Sequence, residues 1–271
     1  MTTPADILKK IEEEDVRYVD VRFTDVRGKM QHVTFDLDLV DDDFLSDGTM
    51  FDGSSIAGWK AINESDMKLR PDLSTAYIDP FYEHKTLCLT CDVINPSTGE
   101  MYNRDPRSIA KKALAHVNSA GIGDTVFFGP EAEFFVFDDV RWNTAPHDMG
   151  YSYDSIELPV SSSKVYPDGN MGHRPGPKGG YFPVNPIDSG QDLRAEMLAT
   201  MLDLGMKPEK HHHEVAPAQH ELGLKFSDLI TMADRLQLYK YVVQNVAHAY
   251  GKTATFMAKP MFADNGSGMH C

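Results

Sequence analysis

The chain has 271 residues and a mass of 30.3 kDa, enough for one large domain or two modest domains with a sizeable core. Its 26 Lys and Arg residues against 41 Asp and Glu residues give a formal net charge of -15. This charge argues against a general binder of nucleic acid or anionic membranes, because such proteins need a basic face. Hydrophobic residues make up 41% of the chain, which excludes disorder throughout, and no apolar run reaches the roughly 18 residues of a membrane span.

The N-terminal third of the sequence predicts a small α+β domain. Thr3 and Pro4 fit the N-cap and the first position of a helix, and residues 19–24 alternate between apolar and polar side chains as a half-buried strand does. The start of the chain lacks the basic and then apolar pattern of a secretion signal, so we expect a cytoplasmic protein. The predicted strands of this domain cover residues 19–24, 31–37, 76–78 and 87–94.

A predicted boundary divides the chain into domains 1–103 and 104–271. In the second domain, Asp105 and Pro106 are typical of a helix start. The stretch 138–186 is rich in Gly, Pro, Ser and Asp and is much longer than an ordinary connection, which indicates a functional or partly mobile loop region. The elements predicted around it are helices at 105–121, 188–205 and 227–251, and strands at 125–137, 211–224 and 253–257.

Two carboxylates, Glu131 and Glu133, interrupt the apolar segment 125–137. Because they are two residues apart on a predicted strand, they project from the same face. Side by side in an apolar stretch, they repel each other and lose hydration. A basic side chain, a shared proton or a metal ion must therefore neutralise them.

A second acidic pair, Glu214 and Glu221, flanks a bend that contains a proline. Strand alternation places His212 on the side of Glu214, and His211 and His213 on the opposite side, where packed or partly exposed positions at a strand edge are expected. The run lacks the helical H-E-x-x-H spacing of a zinc site. Carboxylates from separate strands favour hard cations such as Mg²⁺ or Mn²⁺.

The segment 265–270, Asn-Gly-Ser-Gly-Met-His, is the third candidate. Its glycines permit close backbone approach to a ligand, and clustered amides bind anionic oxygens, although a Gly-Ser-Gly loop on its own is usually a simple turn. The spacing differs from that of a Walker or dinucleotide-binding loop, so neither fold is predicted.

Taken together, five segments resemble those of bacterial class I glutamine synthetase. They occur in the order typical of that family and span essentially the whole chain. The form of residues 51–67 is most similar to the subclass that is regulated by tyrosine adenylylation. The five segments are MFDGSSIAGW at 50–59, NESDM at 63–67, GPEAE at 129–133, HHEVA at 212–216, and the stretch 259–270 that begins with Lys-Pro and ends with NGSGMH.

The resemblance implies an α+β fold with a β-grasp-like N-terminal domain, followed by part of a catalytic domain with a curved antiparallel sheet. It implies a dodecamer of two stacked hexameric rings, with active sites between neighbouring subunits. The implied reaction joins ammonia to the side-chain carboxylate of glutamate through a γ-glutamyl phosphate, consuming ATP and giving glutamine, ADP and phosphate. Two Mg²⁺ or Mn²⁺ ions per active site are implied, and an adenylylating enzyme is a candidate partner.

The same resemblance assigns metal-binding roles. Glu133, Glu214 and Glu221 correspond to the ligands of one ion, and Glu131 and His270 belong to the second. His270 also corresponds to a position that contacts substrate glutamate and stabilises the charge of the transferring phosphoryl group.

Further positions correspond to substrate contacts. Asn265 and Gly266 match the positions that hold glutamate, and Glu209 and Phe226 match positions that contact the nucleotide. Asp52, donated to the adjacent subunit, matches the residue that binds ammonium and removes its proton. A carboxylate is suited to both tasks because it attracts the cation and accepts the proton released on attack.

One departure from the family pattern concerns the end of the sequence at Cys271. Family members use further residues downstream, among them arginines on glutamate and phosphate, another metal-ligating glutamate, the glutamate of a closing flap and the modified tyrosine. The resemblance therefore implies an incomplete catalytic unit, and these 271 residues alone are predicted to lack appreciable synthetase activity.

Two other functions remain open at this stage. One is a non-catalytic, glutamine-synthetase-like assembly or regulatory protein that retains a metal site. The other is a di-metal hydrolase that uses the same carboxylates. The intact acidic positions favour an enzyme over the first, and the ammonium-site motif around Asp52 weighs against the second.

Overall fold

The computed structural model describes residues 2–158 and 172–271. The chain forms two compact units, the first made of Met1–Val126 with Asp228–Asp234, and the second of Phe127–Ser227 with Arg235–Cys271. No helix in the described part of the chain is both long and apolar enough to span a membrane. The domain boundary expected after residue 103 stays a prediction.

The first unit begins with the predicted helix and continues as a sheet with short helices. Thr3 and Asp6 cap the first helix reciprocally, since each side chain accepts a hydrogen bond from the other residue's backbone amide. The elements are α1 (Pro4–Glu13), β1 (Tyr18–Thr24), β2 (Met30–Asp36), α2 (Asp42–Ser46), β3 (Thr49–Asp52), β4 (Asp66–Pro71), β5 (Tyr77–Ile78), β6 (Thr86–Ile94) and α3 (Pro106–Ser119).

The sheet of this unit has the strand order β2-β1-β6-β4-β3, with β5 also paired to β6. Strand β1 is antiparallel to β2 but parallel to β6, with Tyr18 opposite Thr86. Apolar side chains of β1, β4 and β6 meet those of α1 in one buried core, which includes Ile7, Val19 and Leu89. This mixed sheet with its packed helix agrees with the expected β-grasp-like domain.

A buried arginine joins several acidic side chains within the first unit. The Arg107 guanidinium contacts Asp72 at 2.6 Å, Asp92 at 2.5 Å and Asp234 at 3.0 Å. Lys111 adds a second cation beside Asp92, at 2.6 Å. Since Arg107 is nearly inaccessible to water, these carboxylates supply the charge compensation that burial demands.

The second unit is built on another sheet. From residue 127 onward the elements are β7 (Phe127–Phe128), β8 (Glu131–Phe137), β9 (Asp139–Ala145), β10 (Asp148–Asp154), α4 (Gln191–Asp203), β11 (Pro208–His213), β12 (Gln219–Leu224), β13 (Ser227–Asp228), α5 (Leu229–Ala249), β14 (Thr253–Thr255) and β15 (Met269–His270). The end of β13 and the first turns of α5, Asp228–Asp234, belong to the first unit. The main sheet has the order β11-β12-β8-β14, with β15 also paired to β8. These pairings are antiparallel, as expected for the catalytic domain.

The structure differs from the sequence expectations in both units. In the first unit, β3 (Thr49–Asp52) and β4 (Asp66–Pro71) lie where no strand is predicted. The single strand predicted at 125–137 is interrupted at Gly129-Pro130, because proline cannot donate to a strand ladder. Residues 139–154 of the predicted loop 138–186 are instead the hairpin of β9 and β10, while residues 159–171 lie outside the described part. The bend expected between Glu214 and Glu221 is present, and it divides the strand-like segment 211–224 into β11 and β12.

The Arg107 cluster leads to a stability prediction. Replacing Arg107 with Met leaves Asp72, Asp92 and Asp234 without their shared guanidinium, and breaking a buried ion pair in this way costs roughly 3 to 5 kcal/mol. We expect the first unit to unfold at a lower midpoint concentration of urea. Replacing Lys9 with Met, which breaks only the exposed pair with Glu13, is the control and is expected to cost less than about 1 kcal/mol. Equal midpoints for the two variants would contradict this prediction.

Candidate metal centre

Three neighbouring strands bring acidic side chains to one face of the second sheet. Glu221 of β12 lies directly opposite Glu133 of β8 and, on its other side, opposite His212 of β11. Glu214 follows immediately after β11. The hydrogen-bonded register of the sheet, rather than any short sequence motif, therefore places these groups together.

The alternation of β8 sets which side chains face the site. Glu131 and Glu133 are partly exposed, whereas Ala132 and Phe134 between and after them are buried. Phe134 packs on His220 and Tyr239 in the interior. The two glutamates consequently share the open face, as period-two alternation predicts.

His212 lies between two of the carboxylates. Its Nε2 is 2.9 Å from Glu214 Oε1 and 3.4 Å from Glu221 Oε2. One ligand atom from each of these three residues lies within 4.8 Å of the other two. Hydrogen bonds to Glu214 and then to Glu221 raise the pKa of His212 to about 9, so the ring carries a proton at neutral pH.

The two glutamates nearest this histidine respond differently to their surroundings. Burial raises the pKa of Glu133, and the charges of Glu214 and Glu221 raise it further. Burial also disfavours the charged form of Glu214, but hydrogen bonds from His212 and from the Val215 amide outweigh it and lower the pKa of Glu214. Negative charge at Glu133 is thus incompletely compensated by protein groups.

This donor set fits a hard divalent cation. Ligand atoms of Glu214 and Glu221 lie within 4.8 Å of each other, and strand register places Glu133 opposite Glu221 on the same face. Oxygen-rich sets of this kind suit Mg²⁺ and Mn²⁺. A cation there would also supply the charge that the raised pKa of Glu133 shows to be lacking. The residues are therefore compatible with the metal ions that the sequence implies.

The second predicted metal pair lies at the end of the same sheet. Residue His270 of β15 is in register with Glu131, and its Nδ1 is 3.3 Å from Glu131 Oε2. Both side chains are largely open to solvent, with relative exposures of 77% and 46%. The structure brings these two residues together next to the Glu133 cluster.

The glycine-rich segment packs tightly against the acidic face. Gln219 donates from Nε2 to Glu133 Oε2 at 2.6 Å and to the Gly266 carbonyl at 3.0 Å. A Cβ at Gly268 would lie 2.8 Å from Glu133 Oε1, and one at Gly266 would lie 2.6 Å from a backbone oxygen. Glycine is therefore needed at Gly266, where the close atom is main chain, whereas a Cβ at Gly268 would displace the Glu133 carboxylate. Asn265 accepts a hydrogen bond from Lys178 Nζ at 3.3 Å.

The predicted nucleotide positions lie elsewhere on the second unit. Glu209 is exposed on β11 next to a register shift between Pro208 and Lys210. Phe226 is 57% exposed, and its ring meets the edge of Phe127 with centroids 5.4 Å apart. An exposed aromatic face of this kind is available for stacking, but no described contact joins either residue to the carboxylate cluster.

Asp52 belongs to the first unit, at the end of β3. Its Oδ1 accepts hydrogen bonds from the Ser54 amide at 2.8 Å and the Ser54 hydroxyl at 2.6 Å, and its Oδ2 accepts one from the Ser55 hydroxyl at 3.1 Å. The Ser54 hydroxyl is the largest cause of a lowered pKa at Asp52. Asp52 is therefore a preorganised, charged and exposed carboxylate.

Several groups at this face belong to no sequence motif that would assign them a function. His212 was placed beside Glu214 by alternation, but its closeness to Glu221 depends on strand register. Gln219 carries no motif, and only the fold shows its link between Glu133 and Gly266. Tyr181 and Phe182, stacked at 3.9 Å between centroids, both meet the His212 ring edge-to-face.

Comparison with known proteins identifies the family. A family model described as "Glutamine synthetase, catalytic domain" matches residues 103–271, and one described as "Glutamine synthetase, beta-Grasp domain" matches residues 15–96. The chain belongs to the glutamine synthetase family. As in the bacterial class I resemblance, the matched part is the N-terminal part of such a protein.

Individual relatives agree with this assignment. The chain is 64% identical over 270 residues to a glutamine synthetase of Azorhizobium caulinodans, a match that covers 100% of this chain and 58% of that protein. A cryo-EM structure of Plasmodium falciparum glutamine synthetase has a TM-score of 0.91 at 29% identity, covering 100% of this chain and 53% of that one. The chain thus spans little more than half the length of these glutamine synthetases.

One relative has a different name. A protein of Cupriavidus pinatubonensis called 3-hydroxylaminophenol mutase is 59% identical over 267 residues, which are 98% of this chain and 57% of that protein. Membership of the family therefore establishes the fold and the ancestry, while the reaction has to be argued from the site.

The contacts of His212 predict a titration in the metal-free protein. We expect its ring to titrate near pH 9 in an NMR experiment. Because folding raises this pKa above 6.5, the interaction stabilises the fold fully below pH 6.5 and is lost as the pH rises through about 9. Replacing Glu214 with Gln removes the nearest negative charge and should lower the pH of the titration midpoint. A midpoint at 6.5 in the unmodified metal-free protein would contradict the prediction.

Proposed function

We propose that the whole protein containing these residues is an ATP-dependent ligase that joins ammonia to the side-chain carboxylate of L-glutamate. The products are L-glutamine, ADP and phosphate, and the intermediate is γ-glutamyl phosphate. The observation that carries this proposal is the convergence of Glu133, Glu214 and Glu221 on one sheet face, in a chain of the glutamine synthetase family.

The proposed chemistry accounts for the acidic cluster. A carboxylate is a poor electrophile. Before ammonia can attack its carbon, the carboxylate has to be activated by transfer of the γ-phosphoryl group of ATP. Bound Mg²⁺ or Mn²⁺ ions would supply positive charge around the phosphate oxygens. Glu133, Glu214 and Glu221 would hold one ion, and Glu131 with His270 would contribute to holding the second.

Other residues of the second unit would orient the substrates. Asn265 and Gly266 would bind glutamate, and the bond from Gln219 to the Gly266 carbonyl holds that segment against the acidic face. Glu209 and Phe226 would contact ATP, for which the exposed Phe226 ring offers a stacking surface. His270 would bind glutamate and stabilise the charge that develops on the transferring group.

Asp52 would handle ammonia. Its hydrogen bonds from Ser54 and Ser55 favour the charged carboxylate, which attracts ammonium and then accepts the proton released during attack. In the proposed dodecamer of two hexameric rings, Asp52 completes the active site of a neighbouring subunit. A cytoplasmic location and control by an adenylylating enzyme belong to the same proposal, which rests here on resemblance.

An assay of the full native polypeptide tests the reaction. With glutamate, ammonia, ATP and Mg²⁺, we expect equal amounts of glutamine and ADP, with formation of both dependent on ammonia. Replacing Asp52 with Asn removes the proton acceptor, and loss of such a group lowers kcat by about 10²- to 10⁴-fold.

The matched control is Asp43→Asn, which makes the same change at an exposed position of α2 in the same unit. We expect its kcat to stay within about twofold of the unmodified value, because Asp43 is exposed and has no proposed role in substrate binding or catalysis. Product formation without ammonia would refute the ligase proposal. Turnover of 3-hydroxylaminophenol without glutamine formation would instead support the activity named for the Cupriavidus relative.

A separate prediction concerns the 271 residues by themselves. Glutamine synthetases of the family extend well beyond this region, and the resemblance places further substrate-binding arginines there. We expect the chain ending at Cys271 to form no measurable glutamine in an assay in which the full native polypeptide is active. Robust glutamine formation by the shorter chain would refute this expectation.

A further inference from the structure

A buried carboxylate lies behind the acidic face of the second sheet. Glu157 is 3% exposed, and it comes shortly after β10, far from the metal-site segments in sequence. His213 and His220 lie opposite each other in register and face the same interior region. None of these three residues is assigned a role in the proposed reaction.

Both oxygens of Glu157 accept hydrogen bonds. Oε2 accepts from His213 Nε2 at 2.8 Å and from the Ala218 amide at 2.6 Å. Oε1 accepts from the Ser189 hydroxyl at 2.5 Å and from the Ser189 amide at 3.3 Å. Burial disfavours the carboxylate, but the hydrogen bond and charge of His213 outweigh it and lower the pKa of Glu157 to about 2.

His213 connects Glu157 to a metal-site residue. Its Nδ1 is 2.6 Å from the Glu214 carbonyl oxygen, while its Nε2 faces Glu157. Carbonyl and carboxylate oxygens can only accept, so both ring nitrogens donate and the ring is an imidazolium. The charged ring therefore ties the main chain of Glu214 to the buried carboxylate.

The second contact of Glu157 is at the far end of the same bend. Residues 214–218 separate β11 from β12, and hence Glu214 from Glu221. Ala218 has a φ of 61°, a left-handed conformation that costs energy for a residue with a Cβ. Its amide donates to Glu157, so one carboxylate fixes both ends of the bend.

We propose that Glu157 is a positioning residue for the metal centre. Acting through His213 and the Ala218 amide, it fixes the main chain around the bend that sets the separation of Glu214 and Glu221. This inference rests on the proposed function, because it assigns Glu157 to the support of the same metal site. Outer groups that orient metal ligands commonly affect metal affinity even though they never touch the ion.

Neighbouring groups hold Glu157 in turn. Ser189 donates two hydrogen bonds to Glu157. The preceding residue, Asp188, accepts hydrogen bonds from the Arg194 guanidinium through both carboxylate oxygens, at 3.0 and 2.5 Å. Arg194 Nη1 is also 2.9 Å from His220 Nδ1. The support behind the metal-site strands is therefore a connected polar network, whose members have little freedom to relax independently.

Direct measurement of Mn²⁺ binding tests the proposal without turnover. In the full native polypeptide, free Mn²⁺ is followed by electron paramagnetic resonance, and the dissociation constant is compared among variants. Glu157→Gln keeps the side-chain shape but replaces one accepting oxygen with an NH₂ group. This group cannot accept the hydrogen bonds that the surrounding donors make. We expect its Mn²⁺ dissociation constant to rise by roughly 10- to 100-fold, the range for groups that orient metal ligands.

The control replaces another buried, ion-paired carboxylate by its amide. Asp92→Asn loses the charge that faces Arg107 and Lys111 in the first unit, so it should lower stability. We expect it to leave the Mn²⁺ dissociation constant within about twofold, because Asp92 shares no partner with the metal-site residues among the described contacts. Hydrogen exchange adds a second readout, since the backbone amides of Glu214, Val215, Ala216 and Ala218 should exchange faster in Glu157→Gln but not in Asp92→Asn.

A second variant tests the positioning role of Glu157 if Glu157→Gln does not fold. His213→Asn places an amide near the former Nδ1 position, where it can still donate to the Glu214 carbonyl but cannot reach Glu157. It should weaken Mn²⁺ binding as well, and a folded variant with unchanged binding would overturn the proposal. Unchanged Mn²⁺ binding by folded Glu157→Gln would overturn it too.

The metal centre itself is checked by Glu133→Gln in the same experiment. If the unmodified protein shows no Mn²⁺ binding that this substitution weakens, the proposed metal centre fails, and the positioning role fails with it. If Glu133→Gln weakens binding while Glu157→Gln does not, only the positioning role fails. The two failures are therefore distinguishable.

Discussion

The repulsion among carboxylates on one sheet face is the constraint on which the second unit depends. Register places Glu133 opposite Glu221, and Glu214 lies close by at the start of a bend. Water would normally screen such charges, but partial burial removes part of that screening and raises the pKa of Glu133. An arrangement that is unfavourable without a cation is suited to binding one.

The two faces of the β11–β12 pair differ in charge balance. On the open face, His212 offsets only part of the acidic charge, since one imidazolium lies beside Glu214 and Glu221. On the buried face, the imidazolium of His213 meets the single charge of Glu157, so that pair is internally balanced. Alternation along one strand thus separates a balanced supporting network from an unbalanced ligand-binding one.

Sequence patterns predicted what depends on local physics. The cap at Thr3, the strand β1 and the shared face of Glu131 and Glu133 follow from neighbouring residues alone. The half-buried character predicted for β1 is wrong, because its polar residues Asp20 and Arg22 are buried together as an ion pair. The hairpin of β9 and β10 was missed because its polar, glycine-containing strands resemble loops. Glu157 could not be found from sequence, since its partner Ala218 is 61 residues away and their contact depends on the folded bend.

A metal site and family membership do not by themselves fix which reaction is catalysed, so a different residue has to be considered. A cation-bound carboxylate cluster can serve several reactions, and a relative that is 59% identical has the name of a mutase rather than a synthetase. Amide formation differs from such alternatives because ammonium has to lose a proton before its nitrogen can attack. Asp52 has the properties for that step, since three hydrogen bonds from Ser54 and Ser55 keep an exposed carboxylate charged. In the proposed ligase reaction, a carboxylate that accepts the ammonium proton, more than the metal ligands, would be the group specific to amide formation.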